Sequence, residues 1–244
     1  GAGFPAWWLG YLAMLARPVA ASDGSGQGAA SFEWYPPGRL VVWAAVLGVL
    51  VVIVAIPNFG IDADSFRAGL RDALNTVLRA NSTPGKTVSN PERLIEFLVN
   101  AIPPAAAVLA TITNLLNLWL AARVVKFSGR LARPWPQLSS MSFPPLMTAA
   151  LAAAIVLSFL DGMLGIVGGI VAASLLLVYG VLGFAVLHVI TQGTKARPFV
   201  LSITYAGVIL LGWPMLALCL LGLVDTAIGL RDRVSAKRSP PTRS

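Results

Sequence analysis

The chain has 244 residues, of which 57% are hydrophobic and only 11% charged, and its mean hydropathy is +0.77. Soluble domains carry roughly a quarter charged residues, so a soluble fold would have nowhere to put this much apolar surface. The composition points to a membrane protein, and the deciding quantity becomes the number of stretches near the ~20 residues that cross a bilayer. A net charge of +8 and a pI near 10.4 would raise nucleic-acid binding in a soluble chain. Here the basic residues flank the apolar runs, where they set orientation in the bilayer, and no nucleic-acid partner is expected. The single cysteine, Cys219, lies inside an apolar run. It excludes an intramolecular disulfide and any cysteine-cluster metal site, and reads as a small buried hydrophobe.

The chain opens at Gly1 and runs directly into Phe4-Pro5-Ala6-Trp7-Trp8, with neither an initiator Met nor the charged start of a signal peptide. It is therefore expected to be an interior piece of a longer protein. Residues 4–15 are too few to cross, and Trp7, Trp8 and Tyr11 are types that sit at the membrane boundary, so this stretch reads as the end of a partial helix. Residues 17–39, with Ser22-Asp23-Gly24-Ser25-Gly26-Gln27-Gly28 in their middle, read as a loop. Residues 40–56 form an unbroken apolar run about 25 Å long as a helix, the first full span.

Residues 62–80 place Phe66, Leu70, Leu74, Val77 and Leu78 at helical spacing with Arg67, Arg71, Asp72 and Arg79 between them. That pattern predicts an amphipathic helix on the membrane or against the bundle, with Asp62 and Asp64 suited to its positive N-terminal end. Asn81-Ser82-Thr83-Pro84-Gly85 breaks it. Residues 97–125 are apolar again, with Pro103-Pro104 predicting a kinked span, closed by the basic cluster Arg123, Lys126, Arg130 and Arg133. Further spans are expected over 143–160 and 163–190, with a tight turn at Asp161-Gly162, and over 199–224 after Lys195 and Arg197.

The predicted architecture is all-α: a polytopic transmembrane helix bundle of about five full spans, a partial N-terminal one and the amphipathic surface helix. Residues 1–230 make one N-terminally incomplete transmembrane domain, and 231–244 a basic, disordered tail. Placing the cluster that ends at Arg133 on the cytoplasmic side also puts Lys195 and Arg197 there, and sends the tail outside if 199–224 crosses once. A turn back at Trp213-Pro214, or a re-entrant element elsewhere, would return the tail to the cytoplasmic side that its Arg231, Arg233, Lys237, Arg238 and Arg243 favour.

Few residues suggest chemistry. Thr111, Asn114, Asn117 and Ala121 fall near one helix face, and the two amides either line a substrate site or hydrogen-bond between helices. His188, the only histidine, is either a ligand-contacting group or an interfacial side chain bonded to a neighbour. Asp161 is expected to cap a turn. Asp225 is expected to pair with Arg231 or Arg233 across helical turns, as a structural contact. Glycines at 162, 165, 168, 169, 180 and 183 suit close helix packing more than a flexible gate. No Walker A loop, zinc-protease motif or nucleophile elbow occurs. No catalytic residue, metal site or cofactor is assigned, and the protein is not expected to be an enzyme.

Several local patterns resemble one family. They are Phe4-Pro5-Ala6-Trp7-Trp8-Leu9-Gly10, the run from Asn117 to Val125, Ser128-Gly129-Arg130-Leu131, Arg133-Pro134-Trp135-Pro136, the stretch from Gly183 to His188, and Leu221-Gly222-Leu223-Val224-Asp225 ending in Arg231. Together they resemble the YybS-like family of bacterial membrane proteins, domain of unknown function 2232, over almost the whole chain. The resemblance implies further helices upstream, a multi-pass place in the bacterial inner membrane, and a distant similarity to the substrate-capturing subunits of energy-coupling-factor vitamin transporters. It thereby implies a small-metabolite cavity in the bundle and a separate energising partner. The functional expectation is a transporter-like subunit that binds a small molecule, with Asn114, Asn117 and His188 as candidate contacts. The alternative is a non-transporting scaffold that recruits envelope or cytoplasmic proteins through the 62–80 helix and the basic tail. In both readings the bilayer is the first partner.

Overall fold

A computed structural model of the chain describes residues 3–19, 31–80, 90–135, 141–144 and 146–238. Hydrocarbon offers no partner for backbone N–H and C=O groups, so long apolar runs close their hydrogen bonds internally as helices. The helices are α1 (Gly3–Met14), α2 (Pro37–Ala55, continued by a 3-10 turn, Ile56–Asn58), α3 (Ala63–Ala80), α4 (Pro91–Phe127), α5 (Leu146–Ser158), α6 (Gly162–Ile190), α7 (Arg197–Leu211), α8 (Pro214–Ile228) and α9 (Leu230–Arg238). Proline opens α2, α4 and α8, where its missing N–H costs no intrahelical bond.

Among the described residues, three helical stretches are long and apolar enough to cross a bilayer: Pro37–Asn58, Pro91–Phe127 and Gly162–Ile190. The other expected spans are shorter. Residues 143–160 supply the 13-residue α5, and 199–224 are divided between α7 and α8, 15 residues each, by a break at Gly212-Trp213.

One local expectation is revised. The segment 17–39, read as a loop, carries an antiparallel hairpin of β1 (Ala16–Val19) and β2 (Ser31–Trp34), with Arg17 opposite Glu33 and Pro18 opposite Phe32. Opposed charges across a strand pair stabilise such a hairpin. Its glycine-rich middle lies outside the described residues, as do the predicted break at 81–85 and the last residues of the basic tail. That tail begins as α9.

The chain divides into two compact units. One comprises Ala45–Thr113 and Leu146–Leu175. Its core contains Ile56, Phe66, Leu70, Ile95, Val99, Ala107 and Ile170, with Leu74 and Leu78 packed against it. Phe66, Leu70, Leu74 and Leu78 of the apolar stripe of α3 therefore face protein, whereas Val77, expected in that stripe, is exposed, as are Arg71, Asp72 and Arg79. Asp62 caps α3: one carboxylate oxygen accepts the N–H groups of Asp64 (3.1 Å) and Ser65 (2.9 Å), and the other accepts the Ser65 hydroxyl (2.7 Å). In α4, Pro103 and Pro104 lie inside the helix and free the carbonyls of Val99 and Asn100. Those four residues border a cavity of about 220 Å3 together with Arg67 and Ser158.

The other unit comprises Gly1–Ala44, Asn114–Pro145 and Leu176–Ser244. Here α6 and α8 meet at backbone distance. A Cβ on Gly183 would overlap the Leu218 carbonyl, and one on Gly222 would overlap the Tyr179 carbonyl. Small residues permit this approach, which maximises dispersion contacts where water provides no hydrophobic drive. The Cys219 thiol donates to the Leu176 carbonyl at 2.9 Å beside the crossing. Elsewhere in this unit Arg133 reaches Ala13 O (3.3 Å) and Tyr35 O (2.8 Å), tying the end of α1 to the hairpin. Its positive charge also suits the negative C-terminal end of α1.

Gly183→Ala should destabilise the protein by about 2 kcal/mol, because a methyl group is forced against backbone. Gly169→Ala, where an added Cβ meets nothing within 4 Å, should be neutral or stabilising; denaturation in detergent micelles distinguishes the two. At the α3 cap, the Ser65 N–H, followed by its hydroxyl, holds the Asp62 carboxyl below the usual range. A depressed folded value means that the cap stabilises α3 above the unfolded pKa near ~4 and that this stabilisation is lost as pH falls through the folded value. Amide exchange at Asp64 and Ser65, corrected for intrinsic rate, should accelerate in that acid window and be fast at every pH in Asp62→Ala.

Candidate functional site

The polar residues singled out from sequence do not converge. The Asn114 side chain donates to the Ala44 carbonyl at 3.1 Å, joining α4 to α2. Asn117 is exposed and hydrogen-bonds no described residue. Thr111 is fully buried and returns its hydroxyl to Ala107 O, one turn back, at 2.8 Å. His188 places Nδ1 2.8 Å from Phe184 O. A carbonyl only accepts, so Nδ1 carries a proton, and Nε2 lies 3.4 Å from the Tyr205 hydroxyl. The Tyr205 ring also stacks on Phe184 at 4.9 Å. Among the described residues, no hydrogen bond joins either amide to the imidazole.

A polar constellation does form at the α8–α9 junction. Asp225 sits in the last turn of α8, and Gly229 follows it in the left-handed conformation with φ of 62°, returning its N–H to Asp225 O at 2.8 Å. Glycine adopts that conformation without the Cβ penalty, so the chain stops α8 and starts α9 within two residues. The reversal brings Arg231 back over Asp225. One carboxylate oxygen accepts the Arg231 backbone N–H at 3.0 Å. The other accepts the Nε–H at 2.8 Å and lies 2.8 Å from a terminal guanidinium nitrogen, so two guanidinium nitrogens share one oxygen in a charge-assisted contact. The two side chains are 4% and 12% exposed, which makes this a buried ion pair and a helix cap at once. It crosses a turn between helices, and Arg233 remains exposed.

Beside the pair opens a cavity of about 200 Å3, lined by Ser142, Phe143, Leu182, Asp225, Thr226, Gly229, Arg231 and Asp232. Leu182 is the buried apolar wall contributed by α6. Phe143 is held edge-on to Tyr179, with centroids 5.6 Å apart. Thr226 donates its hydroxyl to Gly222 O at 2.9 Å and keeps an oxygen lone pair. The cavity thus presents a neutralised ion pair, a second carboxylate at Asp232 and hydroxyl oxygens on an apolar floor. It can hydrogen-bond a small polar solute; among the described residues, no cluster of three or more His, Cys, Asp or Glu side chains could hold a metal ion.

Ser142, Thr226 and Asp232 belong to no periodic pattern, so the sequence alone does not mark them as cavity residues. The available signal was the Asp225-Thr226 pair followed by Gly229 and Arg231, a left-handed stop that folds a cation back onto an acid.

The family model described as "Predicted membrane protein (DUF2232)" matches residues 33–226. No curated protein and no solved structure matches the chain.

The ion pair yields a quantitative expectation. Asp225→Asn, which leaves Arg231 buried without its counter-charge, should cost about 3 kcal/mol. The double variant Asp225→Asn/Arg231→Gln should cost less than the two single changes summed, measured as a double-mutant cycle by denaturation in micelles.

Proposed function

The chain belongs to the DUF2232 family of predicted membrane proteins, and we propose that it is a transporter-like membrane subunit that binds a small polar solute in the cavity beside Asp225 and Arg231. The observation that carries this reading is a buried ion pair bordering a polar cavity in a chain with three helical stretches able to cross a bilayer. Ionisable groups buried in a membrane protein are costly, and those within the bilayer are candidates for solute or ion paths. The resemblance to energy-coupling-factor capture subunits agrees with this reading by analogy of fold alone, and a separate energising partner follows from that analogy. In this reading the chain is a multi-pass protein of the bacterial inner membrane. α2, α4 and α6 are full crossings, and α5 with the α7–α8 pair brings the total to about five. The Asn114 amide acts as interhelical glue rather than as a substrate contact, and Asn117 lies outside the cavity.

A thermal-shift screen of the purified protein against small polar metabolites tests the proposal. At least one solute should raise the melting temperature. Thr226→Val, which removes a hydroxyl from the cavity and leaves the ion pair in place, should weaken that solute's binding about tenfold with little change in basal stability. A screen in which no polar solute shifts the transition, or a hit that Thr226→Val and Ser142→Ala both leave unchanged, contradicts the proposal.

A further inference from the structure

The basic cluster that closes α4 is split by the fold. Arg133 turns onto backbone carbonyls, whereas Arg123 and Lys126 are exposed and are held by aromatic rings. The Arg123 guanidinium lies 5.5 Å from the Trp119 ring centroid and 5.9 Å from that of Trp135, and the Lys126 ammonium lies 4.6 Å from Trp135. A cation–π contact sets the cation against a ring and provides no hydrogen-bond acceptor oxygen for its N–H groups. Among the described residues, neither cation is paired with a carboxylate. Between them opens a groove lined by Arg123, Val124, Lys126 and Phe127, whose two apolar side chains are 68% and 97% exposed.

We infer that this groove is a binding site for an anionic phospholipid, with the headgroup phosphate between Arg123 and Lys126 and the acyl chains against Val124 and Phe127. Three features select that occupant. Two cations held in place by a shared indole supply charge complementarity to a phosphate. Tryptophan belongs at headgroup depth. The exposed apolar side chains beside the cations suit hydrocarbon, which a soluble phosphate would leave uncovered. The groove lies at the end of α4, the longest of the helical stretches able to cross, where its apolar run meets basic residues. It involves none of the residues around Asp225, so it stands apart from the solute cavity.

The full chain, purified in detergent and offered equal phosphatidylglycerol and phosphatidylcholine, tests this by native mass spectrometry. Phosphatidylglycerol should be retained preferentially. Arg123→Gln/Lys126→Gln should lower its retention about 25-fold, from roughly a factor of five for each basic residue, whereas Arg130→Gln should change it little. Trp135→Leu, which keeps both charges and releases them from the ring, should give an intermediate loss and serves as the readout if the double variant does not fold. Equal retention of the two lipids, unchanged retention in both the double variant and Trp135→Leu, or displacement of the lipid by millimolar inorganic phosphate would overturn the assignment.

Discussion

The close approach of α6 and α8 is the constraint on which the proposed solute site rests. In lipid, helices gain nothing by hiding apolar surface from one another, so they associate through dispersion and a few polar contacts, and the backbones must come near. Gly183 and Gly222 allow that, each facing the other helix's carbonyls with no room for a Cβ. Because Leu182 adjoins one glycine and Asp225 lies three residues beyond the other, the crossing fixes an apolar floor and an acid as parts of the same cavity. A wider crossing would leave the acid without its wall.

The acid itself is tolerated because of what surrounds it. A carboxylate removed from water requires a counter-charge and enough donors to occupy its oxygens. The left-handed Gly229 lets the chain supply both from a single residue, through the Arg231 backbone N–H and its guanidinium. Such an arrangement stabilises the α8–α9 corner, yet an apolar corner of the same shape would be as stable. Retaining charge beside a polar cavity is the feature that favours solute binding over packing alone. The aromatic-bound cations at the end of α4 follow a different logic: they remain exposed, and their geometry is set by indole rings rather than by acids.

Much of the fold was legible because apolar runs and their interruptions have few physical interpretations. The runs over 40–56, 97–125 and 163–190 correspond to α2, α4 and α6, and the spacing of Phe66, Leu70, Leu74, Val77 and Leu78 marks the helix α3, of which all five but Val77 pack inward. The stretch from 199 to 224 admits a single crossing or a turn back at Trp213-Pro214, the latter suiting the basic tail, and the helix does break there, at Gly212-Trp213. Residues 17–39 looked like pure linker, because glycine and serine in the middle masked two four-residue strands at the ends. Contacts that depend on a reversal of direction were less legible. The position of Arg231 six residues after Asp225 suggests a pair, but the cavity around it needs Ser142 and Leu182 from distant parts of the chain. Asn114 was visible as a polar residue in a span, whereas its partner is a backbone carbonyl that has no sequence signature.

The central claim is that the space beside Asp225 and Arg231 is a solvent-connected binding cavity. Its most direct test is thiol accessibility at Thr226→Cys in a Cys219→Ser background, in sealed membrane vesicles treated with a membrane-impermeant methanethiosulfonate. The account predicts modification from one side of the membrane and its slowing by a solute that stabilises the protein. A Thr226→Cys thiol that stays unreactive from both sides in the folded protein, yet reacts after denaturation, would contradict it.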